Sequence, residues 1–230
     1  MTPPANAGHS GELLLLVFFV GVNSAWGQSS LPTVDGVDAR ALQSQCRQVL
    51  DSLAKVKAAL PKETDRELRA FMNEEKKTAD DKTEKIQKLL NDHCLVGVSI
   101  NPESRVKAAR GPRPAELRAG NDTFVLIRVF NEAGVTHGLS VQSPQMHAPG
   151  ESNQEKWLEI TVYPEKPSER KLSGQRVEYV LLRLKAQKAG KREATLVFDV
   201  GQGTQDLGFR AEVPILFTIR KNGEKTSDDR

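Results

Sequence analysis

The 230-residue sequence has few of the residues from which most enzyme and metal sites are built. Its two cysteines form no Cys-x-x-Cys motif, and no two of its four histidines have the His-x-x-x-His spacing of a zinc site. A Gly-x-Ser-x-Gly motif, which would mark a hydrolase nucleophile, is absent. His93 is expected at a helix end, and His137 and His147 in surface loops. We therefore predict no catalytic residue, metal or cofactor, and a protein that is not an enzyme.

Charge of one sign and aromatic side chains are also scarce. The formal net charge is +3, and aromatic residues make up 5% of the chain. An excess this small gives no basis for nucleic-acid binding. Trp157, Tyr163 and Tyr179 are expected to fill a β-sandwich core rather than to stack on sugars. A protein partner is compatible with this composition, but the sequence does not identify it.

Long hydrophobic runs are limited to residues 13–22, "LLLLVFFVGV". Ten residues are too few to cross a bilayer, which needs about 20. Ala25 and Gly27 occupy the −3 and −1 positions of a small-residue cleavage site. We predict a signal peptide over 1–27, cleaved between Gly27 and Gln28, and a secreted or periplasmic protein without a membrane span in its mature chain. No Lys or Arg precedes the run, so an uncleaved anchor and a misassigned start codon stay open.

The two cysteines are Cys46 and Cys94. An exported chain enters a compartment in which disulfides persist. An even number of cysteines without metal or redox spacing favours one structural bridge. We therefore predict a Cys46–Cys94 disulfide.

The segment 38–94 has helical periodicity. Asp38 is a plausible N-cap, and Pro61 is expected to stop the first helix because its ring clashes with the preceding turn. A second helix is predicted from about 64 to 92, with a possible break near Asp80. Two such helices should fold back as an antiparallel hairpin. Spacings of 4-3-4-3-4 place these apolar residues on one face of the first helix: Leu42, Cys46, Val49, Leu53, Val56 and Leu60.

The segment 95–220 changes to the period of β-strands, without an intervening helix. Seven or eight strands predict an immunoglobulin-like β-sandwich, so the fold class is segregated α+β: helical hairpin first, sandwich second. Residues 28–37 are predicted to be a linker and 221–230 a disordered tail. The segment around 177–200 resembles a β-hairpin, and Pro214 indicates an edge or a bulge. Two alternating faces are clear: Ala194, Leu196, Phe198 and Val200, and Val213, Ile215, Phe217 and Ile219.

The stretch "GQGTQDLG" at 201–208 has the glycines of a phosphate-binding loop. Such a loop needs a helix after it, whose N-terminus faces the anion. The sequence continues instead with "EVPILFTIR", which has the alternation of a strand. We therefore predict a connection between strands. Asp199 and Asp206 flank it and could offer oxygens to calcium, but two carboxylates are too few to define a site.

Three longer stretches carry a family resemblance: "IQKLLNDHCLVGVSINPESRVKAARGP", "VFNEAGVT" and "AGKREATLVFDVGQGTQDLGFRAEVPILF". Over about 38–220 the chain resembles the N-terminal region of large secreted bacterial proteins that end in a PHP-type, carbaryl-hydrolase-like metallohydrolase domain. The metal ligands of such proteins belong to the later domain, and this chain has no matching positions. The resemblance therefore implies an accessory region and transfers no catalytic residue.

Three hypotheses for the function follow. The first is a secreted, non-catalytic interaction or scaffold module whose ligand the sequence does not reveal. The second is a truncated or split accessory region of a metallohydrolase. The third is a carbohydrate- or calcium-binding β-sandwich.

Overall fold

The computed structural model describes Met1 and residues 30–147, 155–163, 171–201 and 209–224. The predicted cleavage site Gly27–Gln28 and the last six residues, 225–230, lie outside this part of the chain. None of the helices in the described part is long and apolar enough to cross a membrane. The elements in chain order are α1 (Ala39–Lys55), α2 (Lys62–Asn73), α3 (Ala79–Asn91), β1 (Cys94–Ile100), β2 (Val106–Arg110), β3 (Glu116–Arg118), β4 (Asp122–Asn131), β5 (Ser140–Gln142), β6 (Leu158–Tyr163), β7 (Val177–Ala186), β8 (Gly190–Asp199) and β9 (Arg210–Arg220).

Helix α1 begins where the sequence predicts. The Asp38 carboxylate accepts a hydrogen bond from the backbone N–H of Ala41 at 2.9 Å, which confirms the N-cap. The end of the helix differs from the prediction: α1 stops at Lys55, and Pro61 instead serves as the N-cap of α2. The chain turns before it reaches the proline, because Lys57 adopts a left-handed backbone conformation.

The predicted second helix is in fact two helices. Helix α2 ends at Asn73 and α3 begins at Ala79, close to the possible break predicted near Asp80. Thr78 caps α3: its hydroxyl accepts from the Asp81 N–H, and the Asp81 carboxylate accepts from the Thr78 N–H. Two helices with separate caps replace one long helix, so the described chain has three helices where the sequence predicts a two-helix hairpin.

The strands form two sheets, which confirms a β-sandwich after the helices. The five-stranded sheet has the order β2-β1-β4-β7-β6, and the four-stranded sheet has the order β3-β9-β8-β5. Two pairs, β1 with β4 and β3 with β9, are parallel, and the other pairs are antiparallel. The short strand β3 was not predicted.

The predicted hairpin around 177–200 is wrong. Strand β7 pairs with β4 and β6 in the five-stranded sheet, whereas β8 pairs with β9 and β5 in the other. The connection at Gly190 therefore crosses between sheets. The prediction for Pro214 is confirmed as an edge. Strand β3 pairs with Thr218–Arg220 of β9, so among the described residues Pro214 has a ladder partner on one side alone, Thr195 of β8.

Two hydrophobic cores share the five-stranded sheet. One lies between the sheets and contains both predicted alternating faces, from Ala194 to Val200 and from Val213 to Ile219. The other lies between the opposite face of the five-stranded sheet and the helices. Its helical side chains include Leu42, Leu53, Leu68, Ile86 and Leu90. The helices therefore form a third layer of one packed structure.

The segment before α1, predicted as a linker, packs against this helical layer. Leu31 lies over Gly97 of β1, where a Cβ would come within 2.6 Å of its Cδ2 atom. The Gln87 side chain of α3 donates to Val34 O at 2.9 Å and accepts from Val34 N at 3.0 Å. Arg176 donates to Asp35 O at 2.9 Å. Residues 31–35 are thus held by both α3 and the sheet.

Candidate functional site

The glycine-rich stretch connects two strands, as predicted. Strand β8 ends at Asp199, β9 begins at Arg210, and these two residues pair across the sheet. Most of the stretch, residues 202–208 including Asp206, lies outside the described residues. The Asp199 carboxylate accepts from Gly201 N at 2.6 Å and lies 3.9 Å from Arg210 Nε. No group of three His, Cys, Asp or Glu side chains in the described part of the chain is placed to hold a metal.

The cysteines do not form the predicted bridge in this structure. Cys46 and Cys94 are both free thiols, and both are fully buried in the core between helices and sheet. The Cys94 thiol donates to Leu90 O at 3.3 Å. Burial raises the pKa of Cys46 to about 12 and also raises the pKa of Cys94, because a thiolate is poorly solvated there. Neither thiol has the solvent exposure of a reactive cysteine.

The histidines and aromatic residues lie apart from one another. His137 is exposed, as predicted, but His147 is buried and donates its backbone N–H to Leu158 O. Trp157 fills the sandwich core against Phe217, with ring centroids 6.0 Å apart. Tyr179 is fully buried in the other core, beneath the helices, so the predicted location is wrong for this residue.

A groove near the C-terminal end of α1 is lined by both apolar and charged residues. It has a volume of about 290 Å³. The residues after α1 form one wall, and the chain around β3 and the start of β4 forms the other. Apolar side chains, Val56, Ala58, Leu117 and Phe124 among them, contribute to its lining together with charged ones.

Three cationic side chains contribute to the groove: Lys57, Arg113 and Arg118. Its lining also has two carboxylates, and an arginine outside the lining faces each of them. Arg220 donates to Glu116 at 2.8 Å, and Arg183 lies 3.7 Å from Asp122. The charged side chains of the lining therefore have an excess of one positive charge, three cations against two carboxylates.

Lys57 occupies a conformation that favours glycine. Its φ is 58°, and two hydrogen bonds close the helix end: Ala58 N to Leu53 O at 2.9 Å, and Lys57 N to Ala54 O at 3.1 Å. This is the Schellman arrangement, in which the left-handed residue is most often glycine because a Cβ is strained there. Here an exposed lysine tolerates that strain, and this residue is part of the lining of the groove.

Sequence reasoning did not find this groove. Its residues come from the end of α1, from 113–118 and from 121–124, which are distant in sequence. The one local signal, a lysine just after a helix end, was hidden because the helix was predicted to continue to Pro61.

Comparisons with known proteins establish no family. No family model matches the chain, and no curated protein matches it. Among solved structures, the chain is similar to an R347E mutant of the SrpA adhesin from Streptococcus sanguinis, with 11% identity and a TM-score of 0.29. That match covers 47% of this chain and 55% of the adhesin chain. It is also similar to Lac15 from a marine microbial metagenome, with 15% identity, a TM-score of 0.23, and 58% and 33% of the two chains covered.

Proposed function

We propose that this protein is an exported, non-catalytic interaction module whose groove binds an acidic segment of a partner protein. The predicted signal peptide supports export. The charge of the groove supports an acidic partner, because opposite potentials across an interface guide association and fix its register. The apolar part of the lining suits aliphatic side chains placed between the acidic ones.

The observation that carries the proposal is the backbone of Lys57. A non-glycine residue at φ 58° costs of the order of 1 kcal/mol relative to glycine, and strained backbone concentrates where a side chain is needed for function. The strained residue here is the exposed cation of the groove. A purely structural helix end would be more stable with glycine at this position.

The test uses a short peptide that alternates glutamate and leucine, with a glutamine–leucine peptide as the uncharged control. Fluorescence anisotropy should detect binding of the acidic peptide to the full mature chain, and binding should weaken with salt. Lys57→Glu combined with Arg118→Glu should weaken it about tenfold or more, equivalent to about 1.4 kcal/mol. Lys76→Glu combined with Lys77→Glu, on the exposed connection between α2 and α3, makes the same change in net charge and is the matched control.

Two outcomes would contradict the proposal. In the first, the acidic and uncharged peptides bind equally well. In the second, the control variant at Lys76 and Lys77 weakens binding as much as the groove variant does, since a general charge effect would then explain the interaction.

The sequence resemblance supports a second candidate: an accessory region that works beside a PHP-type metallohydrolase. The gene neighbourhood tests this directly. A reading frame for such a hydrolase next to this gene is expected, and its absence across related genomes would remove the basis of the idea. We also propose that the sandwich is of the immunoglobulin-like type, which is compatible with its two mixed sheets.

The carbohydrate and calcium alternatives receive less support. Trp157 and Tyr179 are buried and offer no stacking surface to a sugar. Asp199 already accepts a hydrogen bond from Gly201 N. Calorimetric titration with calcium and with polysaccharides should therefore give no binding heat, and a saturable signal would revive these alternatives.

A further inference from the structure

Arg128 is a buried cation in the core between the helices and the five-stranded sheet. It lies in the middle of β4, is 3% exposed, and is next to Gly97 of β1 and Tyr179 of β7 in the sheet register. Its guanidinium carbon is 5.7 Å from the ring centroid of Phe130. Leu31, which lies over Gly97, closes the same region from the side of the N-terminal segment.

Two nitrogens of this guanidinium, Nε and Nη2, are buried without a hydrogen-bond partner among the residues that the structure describes. Polar groups around it are committed to one another. Tyr179 OH donates to Asn91 Oδ1 at 2.9 Å, and Asn91 Nδ2 donates to Leu31 O at 3.0 Å. Leu90 O, at the end of α3, accepts from the Cys94 thiol. Buried donors are nearly always satisfied, so an unpaired guanidinium edge calls for a ligand outside the polypeptide.

Within the described part of the chain, the acidic groups that face Arg128 provide no ionised partner for its charge. These groups are Tyr179 and Cys94. Burial raises the pKa of both well above neutrality, so both are uncharged at neutral pH. A buried charge is costly unless an opposite charge compensates it. A water molecule would satisfy the hydrogen bonds but would leave the charge uncompensated.

We propose that the Nε–Nη2 edge of Arg128 binds a small monovalent inorganic anion, chloride, enclosed between the five-stranded sheet, α3 and the N-terminal segment. The two parallel N–H groups of this edge match an anion that accepts from both. The anion would link β4 to the helical layer and would stabilise the docked N-terminal segment. The site is separate from the groove near the C-terminal end of α1 and does not depend on the function proposed for that groove.

Two measurements on the full mature chain test the site. In crystals soaked in sodium bromide, an anomalous peak is expected within hydrogen-bonding distance of Nε and Nη2. In solution, the unfolding temperature should rise as chloride replaces gluconate at constant ionic strength. The expected rise is roughly 3–5 °C for each tenfold increase in chloride concentration above the Kd. Arg128→Met should abolish this rise.

Arg176→Met is the matched control. Arg176 also faces the Phe130 ring, at 5.2 Å, but it is partly exposed and bonds to Asp35 O. This variant should lower the unfolding temperature and keep the chloride response. Density without an anomalous signal, which indicates water, would overturn the proposal. So would a bromide peak without any chloride response in solution, or the same response in Arg128→Met. The bromide map of the unmodified chain tests whether an anion occupies the site even if Arg128→Met does not fold.

Discussion

The two faces of the five-stranded sheet are built from alternate residues of the same strands, yet their chemistry differs. Towards the other sheet, the middle of β4 and β7 presents Val125, Ile127, Val180 and Leu182. Towards the helices, the same strands present Leu126 and Leu181 together with Arg128 and Tyr179. In the middle of these two strands, one face is aliphatic, whereas the other also carries buried polar groups.

The difference indicates what fixes the orientation of each layer against the five-stranded sheet. Aliphatic packing between sheets is guided by strand register, because a slip of one residue would turn every buried side chain outward. Helices lack such a register against a sheet, and here side-chain hydrogen bonds provide one. Gln45 of α1 accepts from Tyr179 N at 3.0 Å, and Tyr179 OH donates to Asn91 of α3. Satisfied polar networks of this kind specify a unique arrangement.

The largest effect is expected where the helical layer joins the sheet. A Cβ at Gly111 would overlap the carbonyl oxygen of Cys94, whereas a Cβ at Gly97 would meet only the movable tip of Leu31. Gly111→Ala should therefore cost roughly 3 kcal/mol or more, and Gly97→Ala about 1 kcal/mol. Urea unfolding followed by circular dichroism measures both. Equal losses would show that the backbone contact at Gly111 is not a constraint.

Truncating each core separately tests whether the interfaces unfold together. Leu68→Ala in the helical layer should cost about 2–5 kcal/mol, and Phe217→Ala in the sandwich about 3–5 kcal/mol. Because both cores share one sheet, each variant should unfold in a single transition. If far-ultraviolet and tryptophan signals separate in Leu68→Ala, the helices unfold independently and the account of one packed structure fails.

The buried thiols make the helical interface sensitive to alkaline pH. Burial raises the pKa of Cys46 from 9.0 to about 12, so the folded state holds this proton more tightly than the unfolded state does. The resulting stabilisation is complete below pH 9 and is lost as pH rises from 9 through about 12. Over this range, the urea midpoint should fall less steeply with pH in Cys46→Ala than in the unmodified chain. Identical slopes in the two proteins would be inconsistent with a buried thiol.

Alkylation distinguishes the free thiols of the structure from the bridge predicted by sequence. Native protein should resist iodoacetamide, and protein unfolded without reductant should incorporate two labels. A bridged chain would take up none, and its mass would be about 2 Da lower because oxidation removes two hydrogens. That result would restore the predicted disulfide.

The smallest effect concerns the groove. Lys57→Gly relieves the left-handed strain and should stabilise the fold by about 0.4–1 kcal/mol while weakening binding of the acidic peptide. Asparagine also tolerates this conformation, so Lys57→Asn should likewise stabilise the fold and weaken peptide binding. Thermal unfolding and anisotropy measure the two effects. A destabilised Lys57→Gly would mean that the lysine side chain supports the fold.

Periodicity predicted the parts of the fold that depend on one buried face. Four residues of the predicted stripe are buried on α1 as expected, Leu42, Cys46, Val49 and Leu53, whereas Val56 is only partly buried and lies with Leu60 beyond the end of the helix. The faces of β8 and β9 are also buried as expected, since spacing alone decides which side chains point inward. Asp38 was found as a cap because its chemistry is local. These features can be predicted without knowing which elements pack against them.

Features that depend on partners distant in sequence were missed. A Gly190 turn looks the same whether the next strand pairs with β7 or crosses to the other sheet. The prediction of one helix from about 64 to 92 concealed a second cap at Thr78. Arg128 lies inside an apolar strand pattern that gives no sign of its burial. The groove is assembled from segments that only the fold brings together.

The central claim is that the groove beside Lys57 is a recognition surface for acidic segments. Amide chemical-shift mapping of the isotope-labelled mature chain, titrated with the glutamate–leucine peptide, tests it most directly. The account predicts saturable shifts confined to residues 56–58, 113–118 and 121–124. Shifts that are absent, or that are spread over charged surface far from these residues, would contradict it.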